Sequence, residues 1–137
     1  MKYLYLLFLL AVYSCSQALS EKEKLEQYFG IIGVENPKKV LIIHLDGCSG
    51  CFSYHQILMK KVNEVGNYDV VLVTKSKKKA RLLFEEDFNQ NTYFDTNLEA
   101  LDFGLITGFP TIYIFDENGD LSEKSEIDYG TSNLILP

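Results

Sequence analysis

The sequence predicts an α/β domain: a mixed sheet with helices on both faces, a C-terminal β-hairpin and a shortened C-terminal end. Three observations carry this. Val40–Leu45 and Tyr68–Thr74 are nearly continuous apolar runs, the pattern of strands covered on both faces. Each run is followed by a segment with helical periodicity, giving strand–helix–strand–helix order. Further on, the β-rich run Thr111–Phe115 leads into Asn118-Gly119, a strong hairpin signal.

The elements follow in order. Met1-Lys2 and the apolar run Leu4–Val12 read as a secretory signal peptide over residues 1–14. The run is too short to span a bilayer, which needs about 20 residues. Residues 15–19 are a short tether, and 20–137 form the domain. Ser20 and Glu23 fit a capping box. Leu25, Tyr28, Phe29 and Ile32 then give one helical stripe. After the first strand, a helix is expected from about Cys51 to Val65, with Tyr54, Leu58, Val62 and Val65 on one face. Ser76 caps a short helix to about Phe84, although its lysines stand at the end that the helix dipole disfavours. Thr92–Asp95 reads as a short strand, and Leu98, Leu101 and Leu105 suggest a helix ending near Gly108. Leu121–Ile127 returns antiparallel, its charged alternation suiting a sheet edge.

Without Lys2, 12 basic residues face 19 acidic ones, a net charge of −7. This argues against nucleic acid as a partner. Lys75, Lys77, Lys78, Lys79 and Arg81 form a local basic cluster, read as a solvated surface.

Three cysteines are present: Cys15, Cys48 and Cys51. Cys48-Ser49-Gly50-Cys51 stands between a buried strand and a helix, a placement suited to thiol–disulfide exchange. Unpaired N–H groups and the dipole at a helix N-terminus favour a thiolate, which makes Cys48 the candidate nucleophile. Cys51, one turn further in, is the candidate resolving thiol. Ser49 and Gly50 are small and leave the sulfurs accessible.

Two resemblances extend this reading. Val12-Tyr13-Ser14-Cys15 resembles the lipobox of bacterial lipoproteins, which implies a lipidated Cys15 at the mature N-terminus. Cys48 and Cys51 then remain as a pair. Cys48-Ser49-Gly50-Cys51 together with Gly108-Phe109-Pro110-Thr111-Ile112-Tyr113-Ile114-Phe115 resembles the thioredoxin superfamily over roughly residues 38–127. Tyr93-Phe94-Asp95, the following helix and Phe115-Asp116-Glu117-Asn118-Gly119 resemble its membrane-anchored, extracytoplasmic branch.

The resemblance implies a thiol–disulfide oxidoreductase of the bacterial cell envelope, lipid-anchored and facing the periplasm or the outside. Its partners would be exported proteins with cysteines and an upstream electron donor, and the protein itself a monomer without a cofactor. A reducing direction is expected. Gly47, Ser49 and Phe109 would contact the partner. X–Pro bonds in folded proteins are cis in only about 5–6% of cases, but the matching proline of the family is cis, so the resemblance implies a cis Phe109–Pro110 bond. Pro110 would then pack against the cysteines, and the Phe109 backbone would pair with a partner chain.

The chain departs from thioredoxin at Gly47, where the family has Trp, and at Ile42, where it has a buried Asp. Asp46 or Lys75 could replace that Asp as proton acceptor for Cys51. His44 and His55 flank the cysteine pair, but strand geometry keeps four ligands from converging, so no metal is expected. Phe52 after Cys51 excludes c-type haem attachment. Leu45 stands where peroxiredoxins carry Thr, which disfavours a peroxidase. The rival from another class is a non-catalytic interaction lipoprotein with a static Cys48–Cys51 disulfide.

Overall fold

The structure is a computed structural model that describes residues 18–48, 50–84, 88, 90–130 and 136–137. The expected signal peptide, Cys15 and Ser49 lie outside the described residues. Helix α1 (Glu21–Ile32) opens on the expected capping box: Glu23 N–H donates to Ser20 Oγ at 3.3 Å, and Ser20 N–H donates to Glu23 Oε2 at 2.7 Å. It ends at Gly33, whose φ of 81° lets Val34 N–H reach back to Phe29 O.

The remaining elements are β1 (Lys39–His44), α2 (Phe52–Val65), β2 (Asp69–Val73), α3 (Lys77–Phe84), β3 (Thr92–Asp95), α4 (Glu99–Asp102), β4 (Thr111–Phe115) and β5 (Leu121–Glu126). The five strands form one sheet in the order β3-β2-β1-β4-β5. β1, β2 and β3 run parallel, while β4 and β5 are antiparallel to their neighbours. The expected architecture is therefore the observed one: a mixed sheet, helices on both faces and a closing hairpin.

Alternation along the strands explains the unbroken apolar runs. Val40, Ile42, Val71, Val73 and Tyr113 face a core completed by Leu25, Tyr28 and Phe29 of α1 and Ala100 of α4. Leu41, Ile43, Val70, Leu72 and Ile112 face a second core with Leu58, Met59 and Val62 of α2 and Ala80 and Phe84 of α3. β5 is an edge strand with an alternately charged, largely exposed sequence, as its composition suggests. Among the described residues, no helix is long and apolar enough to cross a membrane.

Two expectations need correction. The buried stripe of α2 is His55, Leu58, Met59 and Val62, whereas Val65 is exposed. The helix has turned its face by about one residue, so His55 replaces Tyr54 at the stripe's start. The helix expected to reach Gly108 stops at Asp102. There Gly104, at φ 68°, makes a Schellman ending: Leu105 N–H donates to Ala100 O, and Gly104 N–H to Leu101 O. At the chain's end, Leu136 packs against the second core. Leu134 and Ile135 lie outside the described residues. The main-chain oxygen of Pro137 accepts from Lys39 Nζ and the Tyr68 hydroxyl.

α3 forms despite its unfavourable charge order. Ser76 caps it, Oγ accepting from Lys79 N–H at 3.2 Å. Its lysines find local partners: Lys77 over the Phe94 ring, and Lys79 over the Phe52 ring and 3.6 Å from Asp46.

Candidate functional site

β1 ends at His44, and the chain then crosses to α2 through the cysteine loop. Cys48 and Cys51 are joined as a disulfide, with a Cα–Cα separation of 5.5 Å. Cys51 is the N-cap of α2 and is 8% exposed, whereas Cys48 is only half-buried. The more accessible sulfur is thus the one expected to attack. Cys48 itself lies three residues before the N-cap, outside the helix.

Gly47 has a packing reason. A Cβ at this position would lie 2.7 Å from His44 Nδ1 and 3.1 Å from its Cε1. The His44 ring fills the space, so Gly47 keeps the cysteine loop close to the end of β1.

Asp46, one of the two candidate proton acceptors, is already engaged. Its carboxylate accepts from Lys75 N–H at 2.8 Å and from Thr74 Oγ1 at 3.2 Å, and it pairs with Lys79. Partial burial pushes its carboxyl up. The Lys75 N–H, the Thr74 hydroxyl and the charges of Lys79 and His44 outweigh that and hold it below the ordinary range. Asp46 therefore fastens the cysteine loop to the end of β2. The other candidate, Lys75, is exposed and lends its N–H to this strap. Ile42 is part of the first core, on the face opposite α2.

The Phe109–Pro110 bond is trans, since no cis peptide bond occurs among the described residues. This corrects the expectation of a cis bond. Gly108, at φ 100°, makes the change of direction before β4, and the trans form is intrinsically preferred by about 0.5–1 kcal/mol. Thr111 pairs with Ile42, so Pro110 and Phe109 still enter alongside Ile43 and His44, at the cysteine end of the sheet. The Phe109 carbonyl, however, accepts from Thr111 Oγ1 at 3.1 Å. The Pro110 carbonyl accepts from Ile127 N–H at 2.8 Å. The proposed partner-pairing platform thus loses its premise.

Sequence reasoning missed Tyr129, and it weighed His55 as a metal ligand without placing it in the core. His55 is fully buried. Its Nε2 shares a hydrogen bond with Tyr129 Oη at 3.2 Å, and its Nδ1 is buried with no hydrogen-bond partner among the described residues. Tyr129 also meets the rings of Tyr54 and Phe109 at 4.9 and 5.5 Å between centroids. The signal for His55 was its spacing, four residues before Met59 and seven before Val62. Among the described residues, no group of three or more His, Cys, Asp or Glu side chains is placed to hold a metal ion.

Burial, helped by the charge of His44, pulls the His55 imidazole down to about 4 from an ordinary 6.5. Between these values the unfolded chain binds a proton that the folded chain refuses. The stabilisation is complete above pH 6.5 and is lost as the pH falls towards 4, on the order of 3 kcal/mol in all. Urea melts of the wild type and His55→Leu at pH 7 and 4.5 check this. The wild type should lose more stability on acidification than the variant. Equal losses would remove His55 as the cause.

No protein-family model matches the chain, and no curated protein matches it. Solved structures do. The mitochondrial 2-Cys peroxiredoxin from Plasmodium falciparum matches at TM-score 0.45 and 13% identity, over 71% of this chain and 68% of that one. The thioredoxin domain of a thiol-disulfide oxidoreductase from Bacteroides vulgatus matches at 0.38 and 23%, over 64% and 69%. StoA from Bacillus subtilis matches at 0.42 and 13%, over 67% and 75%. At these identities and scores, nothing of their chemistry is carried onto this chain.

Proposed function

We propose that the protein is a thiol–disulfide oxidoreductase that reduces disulfides of exported polypeptides. One observation carries the reading. A Cys48–Cys51 disulfide closes the turn between a buried strand and a helix, with Cys48 the more exposed sulfur and Cys51 at the helix N-cap. The Cys48 thiolate attacks a partner disulfide, forming a mixed disulfide and releasing one partner thiolate. The Cys51 thiolate then attacks Cys48 Sγ, forming the Cys48–Cys51 bond and releasing the second. Two electrons pass to the partner, and the two protons of the dithiol end on its thiols or in solvent. A dithiol donor upstream restores the reduced form. Covalent trapping with Cys51→Ser tests the reading.

The placement of this chemistry in the envelope rests on Val12-Tyr13-Ser14-Cys15. Protein recovered from bacterial membranes should begin at Cys15 and carry lipid, as intact-mass measurement will show. A mature chain that starts elsewhere with an unmodified Cys15 would remove the anchor and leave the exchange chemistry standing.

A second reading has specific support. The trans Phe109–Pro110 bond and the engaged Asp46 both fit a static disulfide in an interaction protein. The two readings part on the acidity of Cys48 in the reduced protein.

A further inference from the structure

The contacts of Lys79 bring the basic cluster to the cysteine loop. Lys79 Nζ lies 3.6 Å from Asp46 Oδ1 and 4.9 Å from the centre of the Phe52 ring. Asp46 stands two residues before Cys48, and Phe52 directly follows Cys51. The first turn of α3 therefore touches the chain on both sides of the dithiol. Lys75 N–H, 2.8 Å from Asp46 Oδ2, brings the start of the cluster to the same point. Asp46 is matched by Lys79, whereas Lys75 and Lys78 are exposed and add their charge to this rim. The chain as a whole has the opposite sign, with a net charge of −6. The lysines of α3 also stand where the helix dipole disfavours them, a local conflict of the kind proteins carry at functional surfaces.

From this placement, and resting on the exchange reading above, we propose that Lys75, Lys78 and Lys79 form a recognition rim for a polypeptide whose disulfide is flanked by carboxylates. An acidic segment is drawn to this rim and repelled by the net charge of the remaining surface, so the partner arrives with its disulfide on the dithiol side. The gain lies in the encounter rate, and it fades as salt shortens the reach of the charges. An anionic lipid surface has the same sign of charge as such a segment. A membrane lying on the rim would cover the dithiol, however, and the exchange reading needs that face open to a polypeptide. The rim can be altered without touching the loop it borders. Lys75 enters the Asp46 contact through its N–H, which any residue but proline supplies. Glu in place of Lys78 suits the first turn of a helix.

The test uses synthetic peptides that share one intramolecular disulfide and differ in the residues flanking it: Glu, Gln or Lys. The pre-reduced protein reacts once with each. Its dithiol is oxidised to the Cys48–Cys51 disulfide, and the peptide's disulfide is reduced to two thiols. At low ionic strength the Glu peptide should react about 10-fold faster than the Gln peptide, and the Lys peptide more slowly than both. At about 1 M salt, where charges reach only about 3 Å, the rates should converge. This salt comparison needs no variant. The double variant Lys75→Glu/Lys78→Glu should reverse the order of the Glu and Lys peptides at low salt, with the Gln peptide correcting for any change in thiol acidity. Equal rates of the Glu and Gln peptides with wild type at low salt, or a Glu preference that survives in the folded double variant, would overturn the rim and leave the exchange reading intact. Binding to phosphatidylglycerol vesicles that the double variant loses, with no preference among the peptides, would make the rim a lipid contact and overturn the proposal likewise. A wild type inert towards every peptide at both salt concentrations would overturn the exchange reading and the rim with it.

Discussion

Replacing Cys48 with serine will abolish exchange with any disulfide, whereas replacing Cys51 will allow one capture and no turnover. Both follow from the order of attack. A serine hydroxyl has no anionic form near neutral pH, so the Cys48 variant has no nucleophile at the accessible position. In Cys51→Ser the attack succeeds and the mixed disulfide persists, because nothing resolves it. The captured partner should approach one equivalent per chain and be released by added dithiol. Capture by Cys48→Ser at a similar yield would reverse the roles, despite Cys51 being the less exposed sulfur.

The pH profile separates an active dithiol from a static one better than the rate does. A thiol at 8.5 is about 3% ionised at pH 7, and one at 6.5 about 75%, a gain of roughly 25-fold. The more acidic thiolate is a weaker nucleophile by about 8-fold over the same two units, which leaves a net gain of only about 3-fold. Alkylation of the reduced protein should therefore be followed against pH, with Cys48 half-ionised well below 8. A midpoint near 8.5 for both thiols would favour the static reading.

Much of this was legible in the chain because local pattern and global packing agree. Val40–Leu45 reads as a central strand because its alternate residues feed two different cores. The Ser20–Glu23 box and the Ser76 cap were visible because caps are chemistry within three residues. The β5 edge was visible because its charges alternate. What failed has physical causes too. The α2 stripe was misplaced because histidine does not count as apolar, yet a buried, neutral His55 fills a core position. The helix after β3 was overextended because Leu105 continues the apolar spacing, while Gly104 has already turned the chain. The Pro110 isomer depends on whether Gly108 or the proline makes the turn, and the sequence allows either. The contacts of Tyr129 join residues 20 to 75 positions apart, and no periodicity announces them.

Asp95 should be the most costly side chain to remove outside the cysteine loop. It is 2% exposed and accepts three hydrogen bonds: from Tyr28 Oη at 3.1 Å, Glu99 N–H at 3.0 Å and Ala100 N–H at 2.9 Å. It thus joins α1, β3 and the start of α4, whose own N-cap residue, Leu98, has no side-chain oxygen to offer. Burial, reinforced by the Asp95 charge and hydrogen bond, holds the Tyr28 phenol protonated well above its ordinary range, so the hydroxyl remains a donor. In Asp95→Ala, water can replace the carboxylate at half-buried Glu99, but not at the fully buried Tyr28 and Ala100. Hydrogen bonds to a charged acceptor are worth about 1.5–3 kcal/mol each, so losing two without replacement should cost about 4 kcal/mol. For a domain of this size that is about 15 °C in Tm. Asp95→Asn keeps one acceptor oxygen but points an NH2 group at the donors, and should fall near half of that loss. Tyr28→Phe alone should cost about 2 kcal/mol. The double variant with Asp95→Ala should lose less than the sum, because the orphaned hydroxyl is then absent. Strict additivity would break the proposed link between the two side chains, and a Tm change under about 3 °C for Asp95→Ala would show that the helix start finds other partners.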